Sequence, residues 1–116
     1  MAKTLCLVMG QINPLVGDVA GNVEKIIQSA EQAKAELKAD LIVFPELTLT
    51  GYPPEDLLLR PELLRRVEAG LMTLKQNIRG IAVVVGHPSG QADELYNTAS
   101  VIIDGEYRAN YYKQYL

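Results

Sequence analysis

The chain has 116 residues, 48% apolar and 22% charged, with a formal net charge of −3, which sets it as at most one ordinary globular domain. Lysines and arginines are scattered rather than striped, so binding to nucleic acid or to an anionic membrane surface has no electrostatic support. No apolar run approaches a membrane span, the start MAKTLCLVMGQ lacks a full signal-peptide pattern, and a single cysteine excludes an internal disulfide, so a cytoplasmic location is the expectation.

The first predicted element is a strand over Thr4–Met9, a continuous apolar run. Cys6 lies inside it and is read as a small packed hydrophobe rather than a reactive thiol. Asn13 precedes Pro14, which favours extended backbone and closes the element. A helix follows from about Asp18 to Lys38, with Asp18 or Asn22 as its cap. Val23, Ile26, Ile27, Ala30, Ala33 and Leu37 recur at helical spacing as one apolar stripe, and the charged residues between them form a solvated face. Ala39-Asp40 leads into Leu41–Phe44, a short apolar run that reads as a strand buried on both faces. Strand, helix and strand make a right-handed parallel unit. Pro45 cannot donate to a ladder and should stop the strand. Glu46 comes immediately after, at the carboxyl end of a buried strand, where open α/β sheets place their sites. Its position alone leaves two readings, a solvated loop residue or a site carboxylate. Gly51-Tyr52-Pro53-Pro54 then turns the chain away.

Glu55–Leu59 reads as a short turn of its own. Pro61 suits a first helical position, and Leu64, Val67, Leu71, Leu74 and Ile78 continue at helical spacing, with Gly80 as the stop. Arg60, Arg65 and Arg66 stand beside Glu62 and Glu68 and read as surface ion pairs. Ile81–Val85 is a third buried strand, ending at Gly86-His87-Pro88. His87 is the only histidine. It has no second ligand at metal spacing, so it is assigned a structural role or one at the rim beside Glu46. Ser89–Asp93 is read as loop. Tyr96–Ile103 alternates, with Asn97, Ala99, Val101 and Ile103 on one face and Tyr96, Thr98, Ser100 and Ile102 on the other. Asp104-Gly105 predicts a hairpin, with Glu106–Tyr112 returning antiparallel and Lys113 at its end. Tyr107, Tyr111, Tyr112 and Tyr115 lack an accompanying basic groove and are assigned to core and sheet packing. Gly86 and Gly90 make no dinucleotide fingerprint, and no phosphate-loop pattern occurs. The residues by themselves predict an α/β domain with a mixed sheet and a possible carboxylate site.

The stretch FPELTLTGYPPEDLLLR, with VVGHP, LYNTASVI and YYKQYL after it in order, resembles the nitrilase superfamily of carbon–nitrogen hydrolases. FPE is shared widely there, whereas LTGYPPEDLLLRP is similar to the amino-terminal glutaminase domains of the bacterial glutamine-dependent NAD synthetase branch. The resemblance implies a four-layer α-β-β-α sandwich and a Glu-Lys-Cys triad. Glu46 matches the general base, and Lys113 matches the lysine that stabilises the tetrahedral intermediate. These residue types suit the chemistry, because a mostly protonated thiol needs an adjacent base and a developing oxyanion needs a fixed cation.

The resemblance also implies what these 116 residues do not contain. The nucleophilic cysteine falls after Leu116 in the family pattern, and Cys6 precedes Glu46 and does not match it. The chain is therefore expected to be part of a longer protein, with no cofactor of its own. The parent would take L-glutamine as substrate and would use ATP with Mg and deamido-NAD in a synthetase domain. Within the same class, a free-standing amidase is the alternative, and outside it, an inactive α/β interaction module. Two helix stripes can cover one sheet face only. The other face is expected to be buried against a second copy or against the remainder of the domain.

Overall fold

The computed structural model describes residues 4–51, 60–91 and 94–114. Along them run β1 (Leu7–Met9), α1 (Val19–Leu37), β2 (Leu41–Val43), α2 (Pro61–Asn77), β3 (Ala82–Gln91), β4 (Glu94–Ile103) and β5 (Glu106–Gln114). The strands form one five-stranded sheet in chain order. β1, β2 and β3 pair in parallel, and β3, β4 and β5 pair antiparallel. This is the mixed α/β sheet that the sequence predicts. The expected turn at Glu55–Leu59, Ala92-Asp93 in the expected loop, and Tyr115 lie outside the described residues.

Asp18 starts α1, its carboxylate accepting from the Gly21 N–H at 3.1 Å. Val23, Ile26, Ala30 and Ala33 are buried as predicted, and Val19 extends the stripe. Leu37 departs from it and is exposed. Lys38 closes the helix in the left-handed region (φ 52°), and the Ala39 N–H reaches back to the Ala33 carbonyl at 3.1 Å. That reversal sends Ala39 into the core in place of Leu37. In α2, Pro61 holds the first position, and Leu63, Val67, Leu71 and Leu74 are the buried set. Leu63 rather than Leu64 fills the first buried position. The helix stops at Asn77, before Gly80, because Ile78 turns extended and enters the core. Of the three arginines, Arg66 pairs with Glu62 at 2.6 Å, both exposed, a pair worth only a few tenths of a kcal/mol.

Both helices lie on one face of the sheet. Ile42, Phe44, Val83, Val85 and Ile102 are buried beneath them. The alternate residues Leu41, Val43, Ala82, Val84, Val101 and Ile103 are only partly covered, so the expectation that β2 and β3 are buried on both faces does not hold. An apolar run fits a strand with two covered faces, but among the described residues only one face has a cover. The predicted first strand shortens to Leu7–Met9, since the Cys6 N–H is taken by the Asp40 carboxylate at 2.8 Å. Leu7 and Met9, on the open face, are 53% and 70% exposed. Cys6 packs against the core edge as expected, its thiol 3.6 Å from the Leu37 carbonyl.

β3 does not end at Gly86. It runs on to Gln91, paired with β4 throughout. Proline is tolerated at position 88 because β2 pairs with β3 only as far as Val84, so no β2 ladder asks for a donor there. His87 is therefore not at the rim but buried in mid-strand, on the helix side. Its Nδ1 lies 3.0 Å from the Pro88 carbonyl and its Nε2 2.7 Å from the Ser100 hydroxyl. Burial pushes its pKa below the ordinary 6.5, outweighing the opposing Pro88 hydrogen bond and the Glu68 charge. The unfolded chain then binds the proton more readily. Stability should be fully present above pH 6.5 and should fall as pH drops through the folded value. Urea midpoints measured across that range test this. A slope unchanged in His87→Asn would remove His87 as its source.

The β4–β5 hairpin forms as predicted, with Asp104 and Gly105 both at positive φ (48° and 84°), the backbone of a two-residue turn. The tyrosines of β5 are not core residues. Tyr107, Tyr111 and Tyr112 are exposed, because β5 is the last strand of the sheet. Tyr107 lies under the Lys75 ammonium, 4.4 Å from it, and Tyr112 stacks edge-on with Tyr96 at 5.8 Å.

Candidate active site

Pro45 ends β2, and the chain folds into a turn over residues 46–50. Several constraints fix that turn. Leu47 is buried and left-handed (φ 53°), a conformation that costs a non-glycine residue about 1–3 kcal/mol. The Thr48 hydroxyl donates to the Pro45 carbonyl. The Leu49 N–H donates to the Gly86 carbonyl at 3.2 Å. Asn22 of α1 is wholly buried and spends its amide on the surrounding backbone. It donates to the Leu49 carbonyl at 3.1 Å and the Leu15 carbonyl at 2.9 Å, and accepts from the Leu15 N–H at 2.9 Å. Asn22 thus joins helix, turn and incoming loop rather than capping the helix.

Gly86 lets the turn lie directly on the sheet. A Cβ at this position would stand 2.7 Å from the Leu47 nitrogen, 2.9 Å from the Pro45 oxygen and 3.0 Å from the Glu46 Cα. No larger residue fits without moving the turn that carries Glu46.

So placed, Glu46 is solvent-exposed and directs its carboxylate to β4, where the Asn97 side-chain amide donates to Oε1. Asn97 is the direct cross-strand partner of Lys113 on β5. Glu46, Asn97 and Lys113 line one cavity of about 250 Å³ on the open face of the sheet, together with Val43, Phe44, Pro45, Val84, Gly86, Thr98, Ala99 and Tyr111. Lys113 is exposed and stands near the end of β5, which runs to Gln114. The carboxylate and the ammonium share the cavity without forming a direct ion pair. His87 belongs to the other face, and Cys6 is not among the lining residues. Nothing in the sequence around Asn97 marks it as a site residue, beyond its being a lone amide on a face otherwise made of Ala99, Val101 and Ile103. Among the described residues, no group of three or more metal-ligating side chains is placed to hold an ion, and no helix is long and apolar enough to cross a membrane.

A carboxylate and an ammonium flanking one open cavity can remove a proton and stabilise a developing anion at the same centre. The profile of the carbon-nitrogen hydrolase family matches residues 7–116. Glutamine-dependent NAD(+) synthetase of Xylella fastidiosa (strain Temecula1) is 44% identical over 116 residues, covering 100% of this chain and 21% of the relative. The enzyme of the same name from Thermotoga maritima is 42% identical over 113 residues, covering 96% and 19%. Among solved structures, glutamine-dependent NAD+ synthetase of Acinetobacter baumannii superposes with a TM-score of 0.85 at 39% identity, over 92% of this chain and 20% of that one. A Glu→Leu mutant of an amidase from Nesterenkonia sp. AN1 superposes with a TM-score of 0.84 at 26% identity, over 94% and 42%, and in that structure the acetamide moiety of fluoroacetamide is covalently added at the active-site cysteine. The chain spans about a fifth of the length of the curated relatives it matches. With the family profile covering nearly all of its residues and the same fold in its structural neighbours, the chain belongs to the carbon–nitrogen hydrolase family.

Proposed function

We propose that this chain is the base-and-lysine half of a glutamine amidohydrolase site that supplies ammonia to an NAD synthetase. The observation that carries the reading is the shared cavity of Glu46 and Lys113 on a chain of this family. The identity of 44% over its whole length to an NAD synthetase, and among solved structures 39% to a synthetase against 26% to the amidase, favours the synthetase over a free-standing amidase.

The mechanism follows from the two groups. Glu46 takes the proton of a cysteine thiol contributed by the longer protein. The thiolate attacks the side-chain amide carbon of glutamine, and the carbonyl electrons move onto oxygen. Lys113 holds that negative charge. The protonated Glu46 returns its proton to the nitrogen as the C–N bond breaks, which releases ammonia and leaves a glutamyl thioester. Glu46 then deprotonates water, which attacks the thioester carbon, and glutamate leaves as the thiol is restored. ATP with Mg and deamido-NAD belong, on this reading, to the synthetase part, and no residue of this chain is assigned to them. A cytoplasmic location goes with the same reading.

The open apolar sheet face fits the same proposal, since the family's second sheet would lie against it. The test compares glutamine-driven with ammonia-driven NAD formation in the longer protein, in wild type and Glu46→Gln. The 116-residue chain, which holds no nucleophile on this account, is expected to release no ammonia from glutamine.

A further inference from the structure

We infer that Asn97 is the positioning residue of this site: it holds the Glu46 carboxylate in place and keeps it apart from Lys113. The inference rests on the reading of Glu46 as base and Lys113 as oxyanion partner, and it gives the third lining residue a role in that reaction.

Glu46 and Lys113 carry opposite charges and line the same cavity. Left to themselves, a flexible lysine and an exposed glutamate would close on each other as an ion pair. Such a pair would spoil both tasks. The carboxylate oxygen needed for the thiol proton would be occupied, and the ammonium needed for the oxyanion would already be satisfied. Asn97 stands between them. Its backbone is paired with that of Lys113 across β4 and β5, and its side chain bonds Glu46 Oε1. A carboxylate only accepts, so the amide must present its NH₂ group to Glu46. That donor is neutral. It fixes one carboxylate oxygen without cancelling the charge and leaves the second oxygen free to take a proton. Asn97 also sits on a rigid element. It faces Pro88 on β3 and Lys113 on β5 in a continuous ladder, so its amide is held at a fixed height above the sheet. The Glu46 turn is fixed independently, by Gly86 and Asn22.

A purely structural Asn97 would also matter for folding, so the test must separate the two roles. Asn97→Leu keeps the branched outline, with bulkier methyl ends, and removes the donor. Asn97→Asp keeps the shape and places a second carboxylate against Glu46. In the longer protein, Asn97→Leu should lower kcat for glutamine about 10–100-fold, with KM for glutamine changed less than threefold and ammonia-driven turnover unchanged, the size of a lost share of acid–base catalysis. Asn97→Asp should be the worse of the two, because like charges oppose each other. A structure of Asn97→Leu should show Glu46 and Lys113 in direct contact. Full glutamine-driven kcat in Asn97→Leu would overturn the inference while leaving the Glu46 reading intact. Full glutamine-driven turnover in Glu46→Gln would overturn the reading beneath it. Loss of ammonia-driven turnover in Asn97→Leu would show a folding role instead and equally contradict the inference.

Discussion

Glu46→Gln in the longer protein is expected to cut glutamine-driven NAD formation by about 10²–10⁴-fold, the usual range for removing a general base. Ammonia-driven formation should stay at the wild-type rate. The substitution keeps the size and hydrogen-bonding reach of the side chain, so Asn97 can still meet its oxygen, and only the ability to take a proton is lost. The turn around it should not move, because its restraints come from Leu47, Thr48, Asn22 and Gly86 rather than from the carboxylate. Glu46 is exposed, which makes a general loss of stability an inadequate explanation for any effect. Equal losses with glutamine and with ammonia would place the defect outside the amidohydrolase site.

The second large effect concerns the sheet face that the helices do not cover. Leu7, Met9 and Tyr111 stand on it with 53%, 70% and 75% of their surface exposed, and Leu41, Val43, Val84, Val101 and Ile103 lie between them, partly covered. An open apolar face of roughly 400 Å² forfeits about 10 kcal/mol at 25 cal/mol per Å², comparable to the whole net stability of a domain. A face of this size matches the largest apolar patch on a typical monomer, and such patches often mark interaction surfaces. The 116-residue chain on its own should therefore associate at micromolar concentration. Sedimentation equilibrium reads this directly. A monomer with a cooperative melt and no apolar dye binding would show that the face is tolerated in water.

The parts of the fold that were legible in the sequence are those set by local chemistry. A cap at Asp18 or Asn22, Pro61 at a first helical position and Asp104-Gly105 as a hairpin each follow from backbone preferences, and the structure selects Asp18. The errors came where tertiary context decides. Leu41–Phe44 reads as covered on both faces because an apolar run does not say how many layers the chain supplies. Gly-His-Pro resembles a strand end, which suits His87 to the rim as well as to a structural role. The proline is accommodated only because β2 has already stopped, a fact of sheet topology. Tyr107, Tyr111 and Tyr112 suit core and sheet packing by sequence because nothing local marks β5 as the last strand. Glu46 could be singled out by its place after Pro45, but its reading as a base came from resemblance, since position alone suits a solvated loop equally well. Asn97 was passed over because its task depends on two contacts far away in sequence, Glu46 across the cavity and Lys113 across the ladder.

On the proposed function, Glu46 and Lys113 serve a thiol that attacks glutamine. Rapid acid quenching of the longer protein with glutamine, followed by peptide mass spectrometry, tests it most directly. The account predicts a glutamyl adduct on a cysteine outside these 116 residues, in high yield for wild type and strongly reduced in Lys113→Ala, where the oxyanion has lost its cation. An adduct on Cys6, or an adduct that forms equally fast in Lys113→Ala and Glu46→Gln, would contradict it.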